Sequence, residues 1–180
     1  MEINDQARIT VLGGGNILFN DEGFGVRVIE ELKARYEFPE NVSLEDGGVL
    51  GLNLLGTISE ADHLIVVDAI RNKGKPGDLY RIEGEAIPKR ILAKNSLHQV
   101  DLLEALTLCQ ALDKVPETVI LGVEPKDIET VGLELTLPIK QRMEDIIALV
   151  LKELERLDVR YRLKGAENHV LRDTCQDHQN

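Results

Sequence analysis

Hydrophobic residues recur along the chain with two different periods, and the two periods alternate. Short runs rich in β-branched residues predict strands, whereas apolar positions three and four residues apart predict helices. The predicted strands cover residues 9–12, 42–44, 63–67 and 118–123, with a weaker candidate at 78–82. The predicted helices cover residues 23–36, a short stretch at 52–58, then 97–112 and 143–157.

The order of these elements predicts the fold class. A β-α-β-α-β order, followed by an extra strand and then α-β-α, is typical of a mostly parallel sheet covered by helices on both faces. Residues 64–67 are apolar at every position, as expected of a central strand buried on both sides. We therefore expect a three-layer α/β sandwich with a twisted sheet of about five strands. It forms one domain over residues 1–158, and a polar, mobile tail follows over residues 159–180.

Charge and composition narrow the classes of partner. The chain has 32 Asp and Glu residues against 21 Lys and Arg, a net charge of −11, which disfavours nucleic acid and anionic lipid. No run approaches the ~18 apolar residues of a membrane helix, and the N-terminus lacks the features of an export signal. We therefore expect a cytoplasmic protein without membrane contact. Cys109 and Cys175 lack CxxC spacing, and Cys109 falls on an apolar helix face, which predicts a buried core thiol.

The turn after the first predicted strand combines glycines with acids. Strand-to-helix turns of this shape usually direct N–H groups at a phosphate. Here Asp21 and Glu22 would repel an anion and attract a cation. Gly13 and Gly15 match the first two glycines of the dinucleotide-binding motif, but Leu18 stands at the third. The turn therefore favours a metal, with a nucleotide site as the alternative.

Four polar residues are expected at one edge of the sheet, because ligands bind beyond the carboxyl ends of parallel strands. Glu22, Asp46 and Asp68 follow three successive predicted strands, and His98 lies in the first turn of the helix over residues 97–112. The positive end of a helix dipole favours a neutral imidazole, the form that binds metal. Glu22, Asp68 and His98 would form a set of two oxygens and one nitrogen suited to a divalent ion such as nickel or zinc.

Each of these residues also has an ordinary structural explanation. Asp21 and Glu22 can favour the start of the following helix. Asp68 can hydrogen-bond a neighbouring loop, His98 can be a plain first-turn residue, and Asp46 with the glycines after it fits a simple turn.

The candidate residues belong to a series of short motifs spread in order over residues 8–157. These are Gly13-x-Gly15-Asn16-Ile17-Leu18, Asp21-Glu22-Gly23-x-Gly25, Asp46-Gly47-Gly48, Asp68-Ala69, Ser96-x-His98 and Gly122-Val123-x-Pro125. The ordered set resembles the motifs of the [NiFe]-hydrogenase maturation proteases. One departure is Val49, where relatives often have Thr.

The resemblance implies a cytoplasmic endopeptidase that removes a C-terminal extension from the precursor of the hydrogenase large subunit after nickel insertion. It implies that Glu22, Asp68 and His98 contact the metal and that Asp46 is an acidic residue near the cleft. We take Asp46 and Asp68 as the catalytic candidates. Nickel would be carried by the substrate, with no stored cofactor. Either a carboxylate or nickel itself could then assist attack by water.

Two other functions remain open from the sequence. One is a nucleotide-binding α/β enzyme that uses the turn over residues 13–15. The other is a non-catalytic metal-sensing chaperone, which would bind the loaded precursor and leave its length unchanged.

Overall fold

A five-stranded sheet organises the part of the chain that the structure describes. The computed structural model describes residues 6–48, 55–84, 86–87, 106–107, 109–110 and 113–165. The strands of the sheet are β1 (Ile9–Gly14), β3 (Val42–Gly48), β4 (His63–Ala69), β5 (Leu79–Glu83) and β6 (Glu117–Val123). Their spatial order is β3-β1-β4-β6-β5. Only β5 runs antiparallel to its neighbour, so the mostly parallel sheet is confirmed.

Strand β4 shows why the sheet is covered on both faces. Its side chains alternate, so Ile65 and Val67 join one apolar cluster while Leu64 and Val66 join another. All four are at most 2% exposed. Full burial of an aliphatic side chain is worth about 1.5–3 kcal/mol, so this strand is a major source of the stability of the fold.

Helices pack on both faces, as the sequence predicts. They are α1 (Phe24–Arg35), α2 (Leu55–Glu60), the short α3 (Leu137–Lys140) and α4 (Met143–Arg156). Helices α1 and α4 bury apolar side chains in the cluster that contains Ile65, and α2 buries Ile58 against the opposite face. The resulting layers confirm the α/β sandwich. No helix within the described residues is long and apolar enough to cross a lipid bilayer.

The helix predicted over residues 97–112 is described at four positions. Residues 106, 107, 109 and 110 are helical. Cys109 is fully buried, and burial raises the pKa of its thiol. The prediction of a buried core thiol is therefore confirmed, while the rest of that helix lies outside the described residues.

The chain beyond α4 corrects the predicted domain boundary. Val159 is buried, and strand β7 (Arg162–Leu163) pairs with strand β2 (Tyr36–Glu37). The ring of Tyr161 lies 5.7 Å from that of Tyr36. Residues 159–165 therefore belong to the domain instead of the tail, and residues 166–180 lie outside the described residues. Two-residue strands carry no usable periodicity, which explains the missed boundary.

Candidate active site

Three parallel strands end at the same edge of the sheet and bring two candidate acids close to strand β1. In the register of the strands, Gly13 of β1 lies beside Asp46 of β3 on one side and Val67 of β4 on the other. Asp68 is the next residue along β4. Asp46 and Asp68 thus flank β1, two strand spacings or roughly 10 Å apart. The register brings the backbones of both residues to one edge of the sheet, while their shared role in a site stays a prediction.

Gly15 is the point at which the candidate segments meet. Its φ of +114° is a conformation that L side chains rarely adopt, and a Cβ atom there would collide with the carbonyl oxygen of Glu22. The same Cβ would lie 3.7 Å from Oδ1 of Asp68. The N–H of Gly15 donates to the carbonyl of Gly48, two residues after Asp46, at 3.2 Å. Gly15 therefore lies against the main chain of Glu22, the carboxylate of Asp68 and the end of β3.

The glycines of the turn leave room for the protein's own main chain. A Cβ on Gly13 would collide with the carbonyl oxygen of Gly25 and lie 2.6 Å from Cγ1 of Ile29. At Gly15, which matches the glycine that lets a dinucleotide-binding turn approach pyrophosphate, a Cβ would likewise meet a carbonyl oxygen, that of Glu22. This packing argues against the nucleotide alternative.

Asp21 has a structural role, which corrects the expectation that it faces a cation together with Glu22. Its side chain is fully buried. Its Oδ2 accepts hydrogen bonds from the N–H groups of Lys126 and Asp127, at 3.0 and 2.9 Å, and from the hydroxyl of Thr136 at 2.9 Å. Its Oδ1 accepts from the N–H of Thr136 at 2.7 Å. Asp21 thus attaches the turn to the segment over residues 126–136.

The remaining carboxylates differ in exposure. Glu22 lies half-buried in a short 3-10 helix, Asn20–Gly23. Asp68 is 5% exposed, and its Oδ1 accepts a hydrogen bond from the N–H of Ala69 at 2.8 Å. Asp46 is exposed and accepts from the N–H of Gly48 at 2.9 Å, the geometry of a side-chain-stabilised turn. The turn interpretation therefore explains the conformation at Asp46.

The third predicted metal ligand, His98, lies outside the described residues. Within the described ranges, no three His, Cys, Asp or Glu residues are grouped closely enough to hold a metal ion. The structure therefore places the main chain of Glu22 and the carboxylate of Asp68 beside Gly15, and the metal-binding roles of Glu22, Asp68 and His98 stay predictions.

Glu124 is a buried acid near this edge that the sequence reasoning missed. It is the unspecified residue of the motif Gly122-Val123-x-Pro125. Its carboxylate accepts hydrogen bonds from the N–H of Asn72 and from the hydroxyl of Tyr80, both at 2.6 Å. Burial and then the bond to Glu124 raise the pKa of Tyr80 to about 12. Glu124 therefore fixes the loop after β4, but nothing local in the sequence signals this role.

The fold is that of known endopeptidases. The chain superimposes on the hydrogenase maturating endopeptidase HybD from Escherichia coli with a TM-score of 0.84 and 36% sequence identity. The match covers 87% of this chain and 98% of that one. The fold and its similarity to this endopeptidase together identify the class of the protein as an α/β peptidase.

Sequence relatives identify the family. A family model described as hydrogenase maturation protease matches residues 26–153. The hydrogenase 2 maturation protease of Escherichia coli K12 is 39% identical over 146 residues, which cover 78% of this chain and 89% of that protein. The hydrogenase expression/formation protein HupD of Bradyrhizobium diazoefficiens is 42% identical over 149 residues, covering 82% and 78%. The chain therefore belongs to the hydrogenase maturation protease family, which confirms the resemblance drawn from its motifs.

Proposed function

We propose that this peptidase removes the C-terminal extension of a [NiFe]-hydrogenase large-subunit precursor and that it recognises nickel carried by that precursor. The observation that carries the proposal is that the main chain of Glu22 and the carboxylate of Asp68 both lie against Gly15. In this proposal His98 supplies the third contact to the ion, and nickel belongs to the substrate.

The chemistry of the two acids supports this assignment. Carboxylate oxygens accept many divalent ions, and imidazole suits nickel. The main chain of Glu22 and the carboxylate of Asp68 both lie against Gly15, near the carboxyl ends of parallel strands, where α/β proteins bind their ligands. Because the carboxylate of Asp21 is fully buried and occupied by hydrogen bonds, the ion would interact with the half-buried Glu22 as the other acid of the turn.

Cleavage requires water to attack the scissile carbonyl and a proton to reach the leaving amine. We assign Asp46 and Asp68 as the carboxylates that assist these transfers. Their backbones lie on either side of the end of β1, so a peptide bound across that end would pass both residues. Nickel held by the substrate can polarise the same carbonyl as a Lewis acid.

Recognition of a substrate-borne ion would make the protease a checkpoint. The contacts from Glu22, Asp68 and His98 yield binding energy only when the precursor holds its metal. That energy then positions the scissile bond, and placement of reacting groups is a large part of catalysis. We propose a cytoplasmic setting, with no nucleic-acid partner, in keeping with the net charge of −11.

The test compares nickel-loaded and nickel-free precursor, with the precursor mass measured before and after incubation. We expect only the loaded form to lose its C-terminal extension. Equal processing of both forms would remove nickel recognition from the proposal.

Variants of the protease then test the site. We expect Glu22→Gln and Asp68→Asn to lower the rate of processing at least 100-fold while the melting temperature stays near that of the original protein. Glu31→Gln is the matched control, because Glu31 is an exposed acid on α1. Full activity of both site variants would reject the assignment.

A further inference from the structure

Exposed hydrophobic side chains are concentrated in one region of the described residues. Among the residues that the structure describes, seven large hydrophobic side chains are exposed, and five of these seven lie on two segments, residues 16–19 and 131–137. We call these five the apolar patch: Ile17, Leu18, Val131, Leu133 and Leu137. Their exposed fractions run from 37% for Ile17 to 77% for Val131. Exposed residues gathered in this way mark an interaction site more often than scattered ones do.

Hydrogen bonds hold the two segments of the patch together. The N–H of Gly132 donates to the carbonyl of Leu18 at 2.9 Å, and the N–H of Asn20 donates to the carbonyl of Gly132 at 2.8 Å. The guanidinium of Arg27 donates to the carbonyl of Leu133 at 2.9 Å. The patch is therefore a built surface, and ordering it on binding costs little conformational entropy.

The apolar patch adjoins the turn that carries Glu22. A Cβ on Gly23 would lie 2.7 Å from the Cα of Ile17, so the patch backbone packs directly on the residue after Glu22. Asp21, the residue before Glu22, bonds to Thr136 next to Leu137. Both segments of the patch are thereby fixed to the turn of the candidate active site.

We propose that the apolar patch binds an apolar segment of the large-subunit precursor beside the bond that is cut. This inference rests on the proposed function and names the surface that holds its protein substrate. The occupant follows from position, because whatever protein delivers its chain to Glu22 must also cover the surface continuous with that turn. A metal ion alone would need no such surface, whereas a protein substrate gains affinity from burying it.

The patch should act on binding and leave the chemical step unchanged. A contact that is equally strong in the bound substrate and in the transition state changes KM while kcat stays the same. We expect Leu18→Ser and Val131→Ser each to raise KM for nickel-loaded precursor about tenfold. The double variant should raise KM by about 100-fold with kcat within about twofold of the original, if the two effects add.

The chain offers matched controls. Val115 and Leu163 are 54% and 53% exposed, close to the 52% of Leu18, and both are outside the apolar patch. Val115→Ser and Leu163→Ser should leave KM unchanged. Melting temperatures of all variants check folding. If Leu18→Ser lowers the melting temperature, Val131→Ser decides the test, because its side chain is the more exposed.

Each outcome has one meaning. An unchanged KM in the double variant overturns the inference about the patch, and so does an equal rise in KM in the control variants. If gel filtration shows a dimer that the patch substitutions dissociate without affecting KM, the occupant is a second copy of this chain and the inference is wrong. If the unaltered protein leaves the loaded precursor intact, the proposed function itself fails.

Discussion

The buried carboxylate of Asp21 makes a quantitative prediction about the segment over residues 126–136. An Asn at this position has one carbonyl oxygen in place of two carboxylate oxygens. Its best orientation keeps that oxygen at the Oδ2 position, where three donors converge. The amide NH₂ then faces the N–H of Thr136, so one hydrogen bond is replaced by a contact between two donors.

The substitutions at Asp21 and Thr136 can be ranked by how much they lower the free energy of unfolding. Bonds to a charged acceptor are worth about 1.5–3 kcal/mol each, and a buried donor left without an acceptor costs about 1–3 kcal/mol. We therefore expect Asp21→Asn to lower the free energy of unfolding by about 2–3 kcal/mol. Asp21→Ala loses all four bonds, whose contributions do not add because they share one carboxylate, and it should cost about 3–5 kcal/mol. Thr136→Val removes only the hydroxyl bond and should cost about 1.5 kcal/mol.

Urea unfolding followed by far-ultraviolet circular dichroism measures these values, since the chain has no Trp for fluorescence. Thr136→Ser keeps the hydroxyl and is the control, with an expected cost near zero. A free energy of unfolding for Asp21→Asn within about 0.5 kcal/mol of that of the original protein would refute the reasoning. A larger cost for Thr136→Val than for Asp21→Asn would refute it equally.

Three further predictions follow from other contacts. Gly15→Ala adds a methyl that collides with a main-chain carbonyl at positive φ, so we expect processing to fall at least tenfold; normal activity would contradict this packing. A hydrogen bond from the hydroxyl of Thr130 lowers the pKa of Asp127 to about 2. Folded Asp127 therefore binds fewer protons than the unfolded chain between about pH 4 and pH 2, and stability rises with pH there. Asp127→Asn should flatten that part of the acid-unfolding curve, and an unchanged curve would reject the contact. A hydrogen bond from Arg81 lowers the pKa of Glu153, which is 6% exposed. The ion pair between the two residues therefore stabilises the folded protein at neutral pH, and this contribution is lost as pH falls below about 4. Arg81→Met should cost about 1–3 kcal/mol at pH 7 in urea unfolding and less at pH 3; an equal cost at both pH values would contradict the ion pair.

The sheet edge was predictable because it follows from periodicity and from the geometry of parallel strands. Residues 64–67 have no polar position, so they had to form an inner strand. Parallel strands end at the same edge of the sheet, so Asp46 and Asp68 were expected at the edge where β1 ends, whereas the position of β1 between β3 and β4 comes from the structure. No contact between distant residues had to be known for either conclusion.

The role of Asp21 was not predictable in the same way. Its hydrogen-bond partners Lys126, Asp127 and Thr136 lie 105 to 115 positions later in the chain. Nothing in the sequence around Asp21 distinguishes its fully buried carboxylate from that of the half-buried Glu22 beside it. The same reason explains the missed role of Glu124, whose partners Asn72 and Tyr80 lie 52 and 44 positions away.

The contrast between Asp21 and Glu22 gives the proposed checkpoint a physical basis. A site that receives its metal from the substrate has no resident ion to hold its ligands in place, so the protein must position them beforehand. Asp21 does this for the turn, because its four hydrogen bonds fix the main chain directly before Glu22. The same bonds fix the segment that carries Val131 and Leu137. On our proposals, one buried carboxylate therefore organises both the contact to the ion and the surface that holds the precursor. Asp21→Asn should accordingly raise KM and lower kcat together, whereas substitutions confined to the apolar patch should raise KM alone.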